Sequence, residues 1–336
     1  MFFKNQRIGK YQILDTIGSG GFGSVYLAQD SWIGKKVAIK VPHKQGENMD
    51  KLLQEPRMLA ELNHPNIVSV ITAEQINDVF FIVMEYVEGT SLEQHLRKHK
   101  RLELEQALDW FSKIIDAICY AHRKNILHRD IRPANVLIST DGQVKLADLG
   151  TSRFLVDQHF ASTRIGSPPY MAPEHFQGKA TFQSDIYSFG VLMYECLTGR
   201  LPYFDKDPLR LAKIAREGAM VPPHRWNGEV PLELSQIICK SMHRSFGSRF
   251  PDATALKEAL SKVHLQPALS TTLQEPERSQ HLSQLIEEES AVAEAKSSTR
   301  FREVTSRELS DLFCWNCSRP VQKRSNHCPH CGVDLR

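Results

Sequence analysis

The spacing of apolar residues changes character near residue 90. Before that point they come in short β-type runs separated by glycines: Tyr11-Gln-Ile-Leu14, Ser24-Val-Tyr-Leu-Ala28 and Val37-Ala-Ile-Lys-Val41. Phe80-Phe-Ile-Val-Met-Glu85 reads as a further, buried strand. One helix interrupts them, from about Met49 to Asn63, where Leu52, Leu59 and Leu62 fall at helical spacing. After Gly89 the pattern turns helical. Ala107, Leu108, Phe111, Ile114, Ile115, Ile118 and Ala121 recur every three or four residues and predict one long amphipathic helix over 105–124. Further helices are predicted at 185–198, 208–217, 232–243 and 252–262. A β-rich first part and a helix-rich second part predict an α+β chain with two lobes and a cleft between them.

From about Leu265 to Asp311 Gln, Ser, Thr and Glu dominate and aromatic residues nearly vanish, which is linker composition. Leu282, Leu285, Ile286 and Val292 could form one weak helical stripe there. A solvated segment with transient helix is the preferred reading over a docking or dimerisation helix. Three regions are therefore expected: a domain over 11–264, a polar linker over 265–311 that is partly disordered or helical, and a small unit over 312–336. Hydrophobic content of 41% and charged content of 24% are ordinary for a soluble globular protein. A net charge of +3 offers no whole-chain attraction to nucleic acid or membrane. No apolar run approaches the ~18–20 residues that span a bilayer. The N-terminal Met-Phe-Phe-Lys-Asn-Gln-Arg lacks the apolar core of a signal peptide. A cytoplasmic protein with no membrane partner is expected.

Candidate chemistry lies in five short motifs in one order. They are Gly18-Ser-Gly-Gly-Phe-Gly23, Val37-Ala-Ile-Lys40, His128-Arg-Asp-Ile-Arg-Pro-Ala-Asn135, Asp148-Leu-Gly150 and Ala172-Pro-Glu174. The glycine motif alone also fits a dinucleotide fold, where it leads from a strand into a helix. Here Gly23 is followed by a second strand-like run, so the glycines close a hairpin whose backbone N–H groups can approach phosphates. A plain glycine-rich hairpin is the bland alternative, and the downstream motifs disfavour it. Lys40 lies in a run otherwise suited to burial and needs a partner. Asp130 suits a general base that takes a hydroxyl proton. Asn135 and Asp148 offer the amide and carboxylate oxygens that Mg²⁺ prefers. In this order the motifs are the parts for moving a phosphoryl group from ATP to a hydroxyl.

Over roughly residues 11–264 the chain resembles the eukaryotic-type (Hanks-type) protein kinases, most closely their Ser/Thr branch as found in bacteria. The resemblance implies the two-lobed kinase fold, ATP and Mg²⁺ as cofactors and proteins as substrates. It implies that Lys40 contacts the α- and β-phosphates and pairs with a helix glutamate, for which Glu55 is the candidate. Asp130 becomes the catalytic base, Arg132 the cation at the γ-phosphate, and Asn135 and Asp148 the Mg²⁺ ligands. The ATP site takes in Ile17, Gly18, Ser19, Gly20, Gly21, Phe22, Gly23, Val25, Ala38 and Lys40. Met84 would gate the back of the adenine pocket, and Glu85 to Val87 would offer backbone hydrogen bonds to adenine. Glu174 and Arg249 match a structural ion pair, and Asp185 a brace on the catalytic loop. Arg129 matches an arginine that answers a phosphate on the activation segment, where Ser162 and Thr163 are the acceptor candidates. Gly166-Ser-Pro-Pro-Tyr-Met-Ala-Pro-Glu174 resembles the Ser/Thr-specific form of that segment, with Ser167 placed near Asp130.

Three positions depart from the family pattern. Pro56 follows Glu55, so the helix either starts close to Glu55 or kinks there. Arg132 stands where Ser/Thr kinases usually carry lysine, putting a planar fork in place of a point charge. Leu149 replaces the usual phenylalanine.

Of seven cysteines, Cys119, Cys196 and Cys239 sit in apolar surroundings and are expected to be buried and unreactive. Cys314-Trp-Asn-Cys317 and Cys328-Pro-His-Cys331 have metal-ligand spacing, and a cytosolic chain favours metal over disulfides. Four thiolates in two knuckles suit tetrahedral Zn²⁺. The segment resembles the short zinc ribbons appended to many bacterial proteins. His327 and His330 are rival ligands, and the four-cysteine set is favoured. Arg319, Lys323 and Arg324 read as a solvated surface rather than a nucleic-acid site, and a partner protein is the favoured role for the ribbon. The expected function is a Ser/Thr protein kinase that transfers the ATP γ-phosphoryl group to protein hydroxyls and autophosphorylates. The rival readings are a pseudokinase scaffold without turnover and a zinc-ribbon nucleic-acid binder with a regulatory kinase fold.

Overall fold

The computed structural model describes residues 2–20, 23–43, 45, 49–149, 168–217, 220–263, 312–313 and 320–321; the side chains of 49–51, 54, 55 and of the last two pairs lie outside the description. The first lobe is an antiparallel sheet of β1 (Arg7–Ile8), β2 (Tyr11–Gly20), β3 (Gly23–Asp30), β4 (Lys36–Pro42), β5 (Val70–Ile76) and β6 (Val79–Glu85). Its strand order is β1-β2-β3-β4-β6-β5. Period-two alternation sorts the side chains. Ile13, Tyr26, Ala28, Val37, Ile39, Phe81 and Val83 build a small core on one face. Lys40, Ile82 and Met84 line a cavity on the other. The sheet begins before the first run of apolar alternation, because Arg7 pairs with Gln12 and Phe2 packs its ring 5.3 Å from that of Tyr26.

Helix α1 (Met49–Ala60) carries Pro56 inside it. It starts at Met49, as the apolar spacing predicts, which rules out the first of the two alternatives for Pro56, a start close to Glu55. An interior proline costs about 3 kcal/mol. Leu59 and, just past the helix, Leu62 are buried. At about 1.5–3 kcal/mol each, their burial is enough to offset the proline.

The second lobe pairs a three-stranded sheet of β7 (Gly89–Ser91), β8 (Val136–Ser139) and β9 (Val144–Leu146) with helices α2 (Leu92–His99), α3 (Leu104–Arg123), α4 (Phe182–Thr198), α5 (Pro208–Glu217), α6 (Pro223–Trp226), α7 (Leu232–Ser241) and α8 (Ala253–Ser261). Ser91 and Gln94 form a capping box that starts α2. The apolar stripe of α3 is buried from Ala107 to Ala121. Helix α4 is the hub: every residue from Ser184 to Tyr194 is buried, as an all-round apolar helix requires. Gly190 allows this, because a Cβ there would meet Met242 Cγ at 2.8 Å. Cys119, Cys196 and Cys239 are buried, and burial pushes the Cys239 thiol up to about 12.

A charged clamp closes the lobe around α4. The side chain of Arg249 is fully buried and holds Glu174 through two parallel bonds of 2.7 and 2.9 Å. It also donates to the carbonyls of His243 and Gln183, and Ser184 Oγ donates to Glu174 at 2.6 Å. Burial alone would raise the Glu174 carboxyl, but the Arg249 and Ser184 bonds hold it below its usual range. Its folded pKa lies under its unfolded one. The stabilisation is therefore complete above the unfolded value of roughly 4.3 and drains as pH falls through the folded pKa. Glu174→Gln is expected to cost about 3–5 kcal/mol near neutral pH, because it strands a buried guanidinium. It should also flatten the loss of stability on acidification. Thermal melts between about pH 7 and pH 3 check both effects; equal melting of variant and parent at neutral pH would refute the clamp.

Candidate active site

The glycine motif forms the end of the β2–β3 hairpin, with Gly18 opposite Val25, Ser19 opposite Ser24 and Gly20 opposite Gly23. Gly21 and Phe22 lie outside the described residues. Gly23 takes φ +150°, and a Cβ there would sit 2.2 Å from the Val41 carbonyl, so only glycine lets β3 close on β4 here. Ile17 on β2 is half-exposed. Across the ladders Val25 faces Lys40 and Ala38 faces Met84. The sheet thus gathers these side chains near one cleft.

Lys40 is 6% exposed, and its Nζ lies 2.6 Å from Asp148 Oδ1. The sequence motifs name both residues but do not pair them. Asp148 has φ +60°, a left-handed backbone uncommon outside glycine. Its setting in the cleft would raise the carboxyl, but the Lys40 ammonium holds it below the usual carboxylate range. Glu55 lies on α1 and its side chain is outside the described residues.

Met84 lines the cavity with Lys40, Leu59, Leu62, Asp148 and Leu149. Glu85 is committed elsewhere. Its N–H donates to the Ser69 carbonyl at 3.0 Å, and its carboxylate accepts from Ser69 N–H at 2.8 Å and Lys145 Nζ at 2.9 Å. A main-chain donor for a ligand in this segment can come only further along, at Tyr86 or Val87.

In the loop after α3, Asn135 Nδ2 donates to the Asp130 carbonyl at 2.8 Å and to Asp130 Oδ2 at 2.9 Å. The Ala147 N–H donates to the Asn135 carbonyl at 2.8 Å, which ties Asn135 to the strand leading into Asp148. Buried Asp185 on α4 accepts from the N–H groups of His128 and Arg129, both at 2.8 Å. It also accepts from His122 Nε2 at 2.9 Å. Burial would raise this carboxyl too; the His122 hydrogen bond and charge hold it low, so it stays ionised. His122 escaped the sequence reading, and its one signal was a histidine in the last turn of the long helix. Tyr170 was missed as well: it donates to Glu195 Oε2 at 2.5 Å, and burial pushes the Glu195 carboxyl up.

This donor set fits Mg²⁺ and a nucleotide triphosphate. Asn135 uses its amide N–H groups on Asp130 and keeps its amide oxygen, and Asp148 supplies a carboxylate. Arg132 Nε is buried without a partner among the described residues, as a donor awaiting an anion would be. Ser162, Thr163 and Ser167, and the four cysteines Cys314, Cys317, Cys328 and Cys331, lie outside the described residues.

The protein kinase domain family matches residues 11–331. The serine/threonine-protein kinase PrkC of Bacillus subtilis (strain 168) is 33% identical over 291 residues, covering 84% of this chain and 45% of PrkC. The "Probable serine/threonine-protein kinase PknB" of Lactococcus lactis is 34% identical over 272 residues, covering 79% and 42%. The chain thus spans less than half the length of these curated relatives. Among solved structures, Rad53 1–466 in complex with AMP-PNP matches with a TM-score of 0.65 and 28% identity, over 74% of this chain and 64% of that one. Among the described residues no helix is long and apolar enough to cross a membrane.

Asp185 supplies the test of the loop geometry. Asp185→Ala strands three donors, one buried and two part-buried, and should cost about 3–5 kcal/mol in denaturant melts. A parent-like midpoint would show that the loop holds itself.

Proposed function

We propose that this chain, which belongs to the protein kinase domain family in its bacterial Ser/Thr branch, is an active kinase that moves the ATP γ-phosphoryl group to serine and threonine hydroxyls of proteins. The supporting observation is a run of hydrogen bonds from Asp130 to Asn135, from the Asn135 carbonyl to Ala147 beside Asp148, and from Asp148 to Lys40. Asp130 takes the hydroxyl proton and aims the oxygen along the line of attack. The new bond runs from that oxygen to the γ-phosphorus, and the bond to the β-phosphate oxygen breaks, leaving ADP. Lys40 holds the α- and β-phosphates, with Glu55 as its second partner. Asn135 and Asp148 hold Mg²⁺, which would neutralise charge on the transferring phosphates. Arg132 offers its fork to the γ-phosphate. Ser162 and Thr163 are autophosphorylation acceptors, answered by Arg129 through charge-assisted hydrogen bonds. The work takes place in the cytoplasm on protein substrates.

Radiolabelled ATP with Mg²⁺, offered to the chain itself and to a generic basic protein, tests this reading. The parent should transfer phosphate, and mass spectrometry should place it on Ser162 or Thr163. Asp130→Asn and Asp148→Asn should each lose nearly all transfer while melting like the parent, because catalysis here is positioning plus charge stabilisation. Undiminished turnover in either folded variant would sink the assignment.

The proposal extends to the C-terminal segment as a four-cysteine zinc ribbon that docks a partner protein. In support, β10 (Leu312–Phe313) pairs antiparallel with β11 (Pro320–Val321), and Cys314 and Cys317 fall between these strands in sequence. Cys328 and Cys331 complete the tetrahedral set. So short a piece buries no core, and metal would supply its folding energy, about 10–16 kcal/mol in zinc-finger peptides. Residues 265–311 are the polar linker, and 1–264 is an independent catalytic unit. The full chain should hold about one zinc by atomic absorption. Chelation should change its turnover modestly, and a 1–264 piece should work without zinc. Collapse of full-length activity on chelation, with Mg²⁺ replete, would contradict the two-module reading.

A further inference from the structure

The chain leaving β4 is fastened to the sheet. Gln45 Nε2 donates to the carbonyls of Pro42 at 2.7 Å and Phe80 at 3.1 Å. Its Oε1 accepts from the Phe80 N–H at 2.8 Å. This side chain pairs with the main chain of β6 as another strand would. It ties Gln45 to Pro42 at the end of β4 and to Phe80 of β6.

Next to Pro42, the exposed His43 reaches Gly20. Its Nε2 lies 2.8 Å from the Gly20 carbonyl. Gly20 ends β2, two strands away from β4, and the register lines up Gly20, Gly23 and Pro42 across the sheet. Adjacent strands are about 4.8 Å apart, so the bond crosses the whole width of β3. No side chain stands in the way at Gly23. A carbonyl can only accept, so Nε2 carries the proton, and the bond is available to the neutral ring and to the charged one.

We propose that His43 is a positioning residue for nucleotide: a strut from the β4–β6 framework to the glycine hairpin that holds the phosphate-facing backbone at one height over the cleft. It need not touch the ligand. It acts by setting the Gly20 end of β2 before ATP arrives, which lowers the ordering cost of binding. The inference rests on the kinase reading only for the identity of the ligand. A net hydrogen bond of ordinary strength corresponds to about 3–10-fold in affinity.

The test compares the full chain with His43→Ala and His43→Gln, since glutamine keeps an N–H donor of similar reach. Calorimetric titration with Mg²⁺ and AMP-PNP should give about 3–10-fold weaker binding for His43→Ala and near-parent binding for His43→Gln. In turnover, the KM for ATP should rise with the alanine, while kcat and the KM for protein substrate stay close to the parent. Melting temperatures should agree, because the residue is exposed. Equal affinity of His43→Ala and parent would overturn the proposal. So would an equal loss in His43→Gln and His43→Ala, since the donor would then not be the cause. If the parent binds AMP-PNP but transfers no phosphate, the catalytic reading falls, and an affinity difference restored by glutamine still supports the strut. If the parent does not bind AMP-PNP, both fall.

Discussion

The buried carboxylate of Asp185 is the interaction on which the site depends. A carboxylate at 1% exposure is tolerable only with full hydrogen bonding. Here it receives the N–H groups of His128 and Arg129 and the ring of His122. Arg129 has φ +69°, a conformation that a non-glycine residue keeps only when its surroundings over-determine it. Asp185 supplies that determination from α4, whose residues from Ser184 to Tyr194 are all buried. The consequences pass along the backbone. Asp130 follows directly, Asn135 bonds Asp130, and the Asn135 carbonyl takes the Ala147 N–H one residue before Asp148. One side chain thus fixes the relative positions of three groups at the centre of the proposed chemistry.

The Lys40–Asp148 pair has a different purpose. With Lys40 buried and Asp148 partly exposed, the pair contributes little net stability, because desolvation of the lysine cancels most of the attraction. Lys40 is flanked on β4 by Ile39 and Val41, and an apolar residue would serve the sheet as well. The pair is better understood as two charges held ready for a ligand, the Lys40 ammonium keeping the Asp148 carboxylate ionised. The Glu85–Lys145 pair is a tether: it fixes the end of β6 to β9 and so sets where a main-chain donor can face a ligand.

The elements themselves were largely legible. The apolar stripe marked α3 to within a residue at each end, and 208–217 coincides with α5. Where reading failed, a physical reason stands out. A two-residue strand such as β1 has no period to detect. At Pro56 local propensity argues for a break, while the burial of Leu59 and Leu62 keeps the helix whole. Pairings were the least legible level. The motifs single out Lys40 and Asp148 separately, but their contact joins residues that only the fold brings together. The same holds for His122 with Asp185 and for Tyr170 with Glu195. His43 carries no motif at all, and only the glycines opposite it, which leave room for its ring, hint at its reach.

The two proposed ions would stand in opposite relations to the fold. In the cleft every candidate ligand already has an internal partner: Asn135 bonds Asp130, and Asp148 bonds Lys40. Ligand entry would then exchange one charge contact for others of the same kind, Lys40 turning to phosphate and Asp148 to the cation. Such an exchange leaves neither Lys40 nor Asp148 unpaired at either stage, so this pair needs no metal to stay in place. The cysteine segment has no such reserve. A piece of about 25 residues is too short to build a core of its own, and thiolates brought together without a cation would repel one another. Magnesium would therefore be a ligand of a finished fold, whereas zinc would be a condition of having one.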